Sequence, residues 1–216
     1  MMKKTGVKII FVGVGLLAAF AIWTVLVRFV DVDMIGPNGT SVGFATLNGY
    51  VHRLTGVHMS LYTVTDWLGL VPVGVALGFA VLGFVQLIGR RSILKVDKSI
   101  LALGVFYMAV VAAYVLFETV VINYRPILID GYLEASYPSS TTMLVMCVIP
   151  TAMMQLRKRI KSRALWRIVA AVSVAFIAFM VIGRLVSGVH WFTDIVGGML
   201  LSAGLVTVYV GACKAI

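Results

Sequence analysis

Six apolar stretches, at 9–27, 67–89, 100–122, 139–156, 168–186 and 192–212, dominate this 216-residue chain. A helix needs about 20 mostly apolar residues to cross the hydrocarbon core of a bilayer, and each stretch meets that length approximately. In lipid every backbone N–H and C=O must pair within the protein, which for such segments means α-helix. The expected fold is therefore all-α: a polytopic bundle of six transmembrane helices forming a single membrane domain over 1–216, with residues 28–66 as its longest connection. Composition agrees. The chain is 61% hydrophobic and only 12% charged, with a mean hydropathy of +1.05, whereas soluble domains carry about 25% charged residues. Pro72 and Pro150 fall inside apolar stretches, where membrane helices tolerate proline. Gly74 and Gly78 have the spacing of a GxxxG helix contact.

The first apolar run follows Met1-Met2-Lys3-Lys4. Its 19 residues exceed a signal-peptide core of roughly 7–15, and Ala19-Phe20-Ala21 lies inside the run rather than after it. It reads as an uncleaved first helix. Cys147 and Cys213 lie in apolar spans and read as small buried side chains rather than a disulfide.

The net charge of +10 and pI near 9.9 would ordinarily suggest nucleic acid, but the basic residues sit in short loops between spans. Lys3, Lys4, Lys8, Arg90, Arg91, Lys95, Lys98, Arg157, Lys158, Arg159, Lys161, Arg163, Arg167 and Lys214 share one side, fourteen in all. Only Arg28, Arg53, Arg125 and Arg184 share the other. The positive-inside rule makes the first side cytoplasmic, with both termini there, in a cell membrane. Anionic lipid head groups are sufficient partners for these basic loops, and no nucleic acid is expected. Of the eight acidic residues only Asp97 lies on the cytoplasmic side. The polar chemistry is thus concentrated on the outer face. The 28–66 connection, with turn residues Gly36-Pro37-Asn38-Gly39, is long enough to act as a lid or substrate rim.

Three outer segments supply that chemistry: NYRPILID at 123–130, EASYPSSTT at 134–142 and GRLVSGVHWFTD at 183–194. His190 and Asp194, four apart, would share one face of a helix. An aspartate holding one ring nitrogen fixes the tautomer and leaves the other as a base or nucleophile. Arg125 and Arg184 suit bidentate gripping of a phosphate. Ser139, Ser140, Thr141 and Thr142 open an apolar helix, where free N–H groups and the helix dipole favour an anion. Each segment alone has an ordinary reading: an interfacial histidine, an anchor and helix stop at Arg125-Pro126, a helix N-cap at PSSTT. Their convergence points to function, because ionisable groups at membrane depth are costly.

Together these segments resemble the three signature motifs of the type 2 phosphatidic acid phosphatase (PAP2) superfamily, over roughly residues 67–212. Arg184, His190 and Asp194 match the third motif, with Gly183 in place of its serine. Arg125-Pro126 matches the end of the first motif, with Glu118 at the lysine position. Pro138-Ser139 matches the start of the second, with Ser140 and Thr141 replacing its glycine and histidine. The resemblance implies a PAP2-like helical bundle and attack on phosphorus by His190 to form a phosphohistidine. It further implies that Asp194 orients the imidazole, that Arg125, Arg184 and Ser139 bind phosphoryl oxygens, with Ser140 beside them, and that neither metal nor other cofactor takes part. Three histidines without ligand spacing agree on the metal. In the family the second-motif histidine protonates the leaving group, a role a threonine hydroxyl at Thr141 does not fill near neutral pH. Glu118 either pairs with Arg125 or Arg184 or meets substrate directly. Glu118 or Glu134, desolvated beside a phosphate, could carry the missing proton. A diphosphate substrate is the other route, since its leaving phosphate monoester needs little protonation. His52 and His58 are further donors in reach of the outer face, though more simply interfacial loop residues.

The expected function is a membrane phosphatase acting on a lipid phosphate or diphosphate at the extracytoplasmic face. Two alternatives share the frame: a lipid phosphotransferase, and a catalytically impaired lipid-phosphate binder. A transporter would be expected to show repeat symmetry and paired broken helices, and the chain has neither.

Overall fold

The computed structural model describes residues 2–215. Eight α-helices follow in order: α1 (Met2–Phe29), α2 (Ala45–Thr55), α3 (Met59–Leu68), α4 (Leu70–Arg90), α5 (Lys98–Thr119), α6 (Ser140–Arg157), α7 (Arg163–Val186) and α8 (Phe192–Ala215). Helices α1, α4, α5, α6, α7 and α8 occupy the six apolar stretches. Five helical runs are long and apolar enough to cross a membrane: Lys3–Phe29, Met59–Arg90, Lys98–Thr119, Arg163–Val186 and Phe192–Ala215. The sixth, α6, has 18 residues and is the shortest of the set. Its weaker apolarity has a structural cause. It lies inside the bundle, against α4, α5, α7 and α8, so Thr141, Thr142, Thr151 and Gln155 are buried in protein rather than exposed to lipid.

Close packing of α1 on α8 rests on small residues. A Cβ on Gly13 would stand 2.7 Å from Val208 Cγ2, and one on Gly204 would stand 2.7 Å from Leu17 Cδ2. Glycine at both positions lets the backbones approach as dispersion packing in a membrane requires. The GxxxG pair expected to make a helix contact does not: no atom comes within 4 Å of a Cβ built on Gly74 or Gly78. Spacing alone does not say which face of a helix meets a neighbour.

The 28–66 connection is mostly helical. Asp31 caps α2, its Oδ2 accepting from Thr46 N–H at 2.9 Å. Buried Asn48 then ties α2 to the start of α8: its Nδ2 donates to Thr193 Oγ1 at 2.9 Å, and its Oδ1 accepts from Thr193 N–H at 3.2 Å. Next, α3 runs into α4 with only Gly69 between them, so the helical run begins at Met59 rather than at 67. α3 packs on the end of α7.

The connection from α5 to α6 carries a hairpin. Asp130 and Gly131 have φ of 49° and 83°, the left-handed pair that an Asp-Gly two-residue turn supplies. Ile129 bridges to Tyr132, and Tyr124 to Ala135. The pairing sets Arg125 opposite Glu134, with Arg125 N–H donating to Glu134 C=O at 3.0 Å.

Candidate active site

Six chain segments meet at one end of the bundle: α3, the end of α5, the hairpin, the start of α6, the end of α7 and the start of α8. Arg184 is in the last turn of α7 and is 1% exposed. Gly188, at φ +70°, turns the chain out of the helix. The turn needs glycine twice over, because a Cβ there would lie 1.9 Å from Gly56 O. The chain then passes through His190 into α8. His190 and Asp194 therefore do not share a helix: the histidine precedes Phe192, and only Asp194 is helical. Asp194 Oδ2 instead accepts from Trp191 N–H at 2.9 Å, the reach-back half of a capping box. This bond fixes the carboxylate beside the ring, with Nδ1 of His190 3.7 Å from Oδ2. Asn123 Nδ2 donates to the other oxygen at 3.4 Å, and both residues are buried.

The other ring nitrogen, Nε2, faces Arg184 Nη2 at 3.4 Å. Burial, and then the charges of Arg125 and Arg184, hold the His190 imidazole well below the ordinary histidine pKa. It is neutral at physiological pH. With its proton on Nδ1, facing the carboxylate, Nε2 presents a lone pair toward the arginine.

The arginines are held by rim carboxylates. Arg125 Nε lies 2.9 Å from Glu134 Oε2, but out of line for a hydrogen bond, so Nε and Nη1 remain buried donors without partners. Arg184 Nη1 lies 3.5 Å from Asp66 Oδ1 and from Thr65 Oγ1, and its Nε is likewise unpaired. The Tyr62 ring stands beneath both guanidinium groups, 5.8 Å from that of Arg125 and 5.0 Å from that of Arg184. Tyr62, Thr65 and Asp66 were not among the residues the sequence singled out. Their signal was a Tyr62/Asp66 pair at i, i+4 on a helix that the polar-apolar mixture of 28–66 concealed.

Ser139 is the N-cap of α6, its Oγ accepting from Thr142 N–H at 3.5 Å. Its own N–H donates to Asp194 C=O at 3.0 Å, which locks the starts of α6 and α8 together. The N–H groups of Ser140 and Thr141 stay free among the described residues. Ser140, Glu118 and His190 line one narrow pocket of about 10 Å3. Thr141 is not in that lining and packs toward the α3–α4 junction at Gly69. Of the two readings of Glu118, the pairing with Arg125 or Arg184 is not formed among the described residues: the hairpin delivers Glu134 to Arg125, and α3 delivers Asp66 to Arg184. Nor are His52 and His58 in the site. His52 Nε2 contacts Gly188 O at 3.2 Å with its ring against Trp191, and His58 Nε2 contacts Thr55 O at 2.8 Å. No cluster of three or more metal-ligating side chains occurs among the described residues.

Fold and site together define a multi-pass membrane protein of phosphatase-type architecture. The chain belongs to the PAP2 superfamily, whose family model matches residues 73–214. Its fold is similar to the crystal structure of the first transmembrane PAP2 type phosphatidylglycerolphosphate phosphatase from Bacillus subtilis. The TM-score is 0.55 at 21% sequence identity, covering 93% of this chain and 94% of that one. Comparison with curated proteins found no match.

Proposed function

We propose that this protein hydrolyses a lipid phosphate or diphosphate at the extracytoplasmic face of the cell membrane, through a phosphohistidine on His190. The observation that carries this reading is the placement of Nε2 beside Arg184, with Nδ1 turned toward buried Asp194. Nε2 attacks phosphorus; the N–P bond forms as the P–O bond to the leaving group breaks. The unpaired donors of Arg125 and Arg184, with the free N–H groups of α6, hold the phosphoryl oxygens as charge shifts among them. Asp194 stabilises the imidazolium and closes on Nδ1, since catalytic hydrogen bonds are often long before substrate binds. Glu118 lines the pocket at His190, whereas Glu134 is engaged by Arg125. Glu118 is therefore the carboxyl placed to protonate the leaving oxygen. In the second step water attacks phosphorus, its proton passes to the Glu118 carboxylate, and the P–N bond breaks to release orthophosphate.

A lipid substrate is supported by an apolar cleft of about 930 Å3 between α4, α5 and α6. Along α5 the cleft is lined as far as Ala112, and the His190 pocket begins at Ala113. An acyl or prenyl chain in the cleft would set its head group at His190. The extracytoplasmic placement is supported by the fourteen-to-four division of basic residues between the two sides.

Detergent-purified protein is to be incubated with lipid mono- and diphosphates, following free phosphate and acid-labile, base-stable label on the protein. Release with transient labelling lost in His190→Ala is expected. Release without any labelled intermediate would reject the phosphohistidine, and no release from any substrate would reject the phosphatase. A cysteine at Asn38 should react with an impermeant thiol reagent on intact cells. Reaction only after lysis would reverse the orientation.

A further inference from the structure

The two arginines expected to grip phosphate are already occupied. Each buried guanidinium has one carboxylate against it, and both carboxylates stand on the rim: the Glu134 side chain is 42% exposed and that of Asp66 is 58% exposed. The two come from different places, one from a hairpin and one from a helix in the 28–66 connection. Neither pairing satisfies its arginine. Nε and Nη1 of Arg125 and Nε of Arg184 remain buried without a hydrogen-bond partner, which is costly for a charged donor.

We propose that Glu134 and Asp66 are tethered stand-ins for the phosphoryl group, leaving the arginines when substrate binds and returning to displace orthophosphate after hydrolysis. The charges match: two carboxylates on two guanidinium groups are exchanged for one phosphate dianion that also fills the idle donors. The carboxylates are intramolecular and thus present at high effective concentration. They keep the buried arginines paired between turnovers and oppose retention of product. The proposal rests on the reading of Arg125 and Arg184 as the phosphate grip.

The test measures binding of inorganic phosphate to full-length, detergent-purified protein by calorimetry, independently of turnover. Glu134→Gln and Asp66→Asn should each bind orthophosphate more tightly than wild type, by about three- to tenfold. The larger effect belongs to Glu134, whose contact is closer and less exposed. Asp130→Asn, which removes one charge from the exposed tip of the same hairpin at a φ that asparagine accepts, should change affinity less than about twofold. Phosphate should also raise the melting temperature of Glu134→Gln more than that of wild type, because it supplies the missing counter-ion. Unchanged or weaker binding in both amide variants would overturn the proposal, since the carboxylates would then orient the arginines rather than compete for them. Equal tightening in Asp130→Asn would overturn it too, as an effect of overall charge. Should Glu134→Gln fail to purify, Glu134→Asp, a methylene shorter, is expected to shift affinity the same way by a smaller factor; no shift would count against the proposal. Failure of every variant, wild type included, to bind orthophosphate would instead remove the phosphate grip itself.

Discussion

Two polar clusters are buried in this bundle, one at each end, and they differ in how completely they are bonded. At the end away from the candidate site, Gln155 of α6 donates to Tyr209 OH of α8 at 3.0 Å and to Ser99 O of α5 at 3.2 Å, and accepts from Arg159 at 3.1 Å. Thr151 donates to Cys147 O at 2.7 Å and lies 3.3 Å from Tyr107 OH. No unsatisfied buried side-chain atom occurs there among the described residues. At the site end Arg125 carries two, and Thr142, Arg184 and His190 carry one each; the remaining case, Thr40, lies in the 28–66 connection. A satisfied network joins helices. An unsatisfied one, made chiefly of cationic donors around a neutral imidazole, is arranged for something that is not part of the protein.

The sharpest way to break that contrast is at the nucleophile. His190→Ala should abolish turnover while expression and melting temperature stay near wild type, and Asp194→Asn should lower the rate by about 10³–10⁴-fold, since an amide neither selects the tautomer nor stabilises the imidazolium. Initial rates beside a thermal melt in detergent decide it. Wild-type turnover in His190→Ala would mean that the unsatisfied cluster is not catalytic.

Glu118 comes next. As general acid its loss should cost about 10²-fold or more on a lipid monophosphate, which departs as a poor alkoxide. The same Glu118→Gln protein should be nearly unaffected on an activated aryl phosphate and mildly affected on a diphosphate, whose leaving phosphate needs little protonation. Equal loss on all three substrates would assign Glu118 to positioning instead.

At the opposite cluster the expected effect changes kind. Gln155→Leu removes interhelical hydrogen bonds worth on average about 0.6 kcal/mol each in a membrane protein, at most about 1.7. It should lower the melting temperature while leaving kcat/KM within about twofold. A rate loss without destabilisation would erase the distinction between the two ends.

Much of this was legible in the sequence for a simple reason. Span length is a property of single segments, and the spacing of Arg184, His190 and Asp194 is local to one turn between helices. What was not legible depends on how segments meet. The Arg125–Glu134 pair needs the Asp130-Gly131 turn to be recognised as a hairpin, which places residues nine apart across from each other. Asp66 and Tyr62 reach the arginines only because α3 packs on α7. The i, i+4 spacing of His190 and Asp194 suggests one helix, yet Gly188 unwinds the chain and the next helix begins only at Phe192. Thr141 follows the motif register, but its side chain packs at Gly69, outside the lining shared by Glu118, Ser140 and His190.

The smallest expected effect is a pH dependence of stability. In the folded protein burial and two arginines hold the His190 pKa well below its ordinary value, while in the unfolded chain it titrates near 6.5. Above about pH 6.5 neither state carries the proton, and His190 contributes no slope. As pH falls below that value the unfolded state takes up a proton that the folded state refuses, so stability declines. The slope is at most about 1.4 kcal/mol per pH unit and lasts until the depressed folded pKa is reached. Other carboxylates also titrate on the acid side, so the histidine's share is a difference: the fall in melting temperature between pH 7.5 and 5 should be smaller in His190→Gln than in wild type. Saturating orthophosphate should shrink the wild-type fall as well, because an anion on Arg125 and Arg184 offsets the charges that keep the ring neutral. An identical pH response in the two proteins would mean that the imidazole is not held neutral by its surroundings, and the contrast between the two clusters would then rest on unsatisfied arginine donors alone.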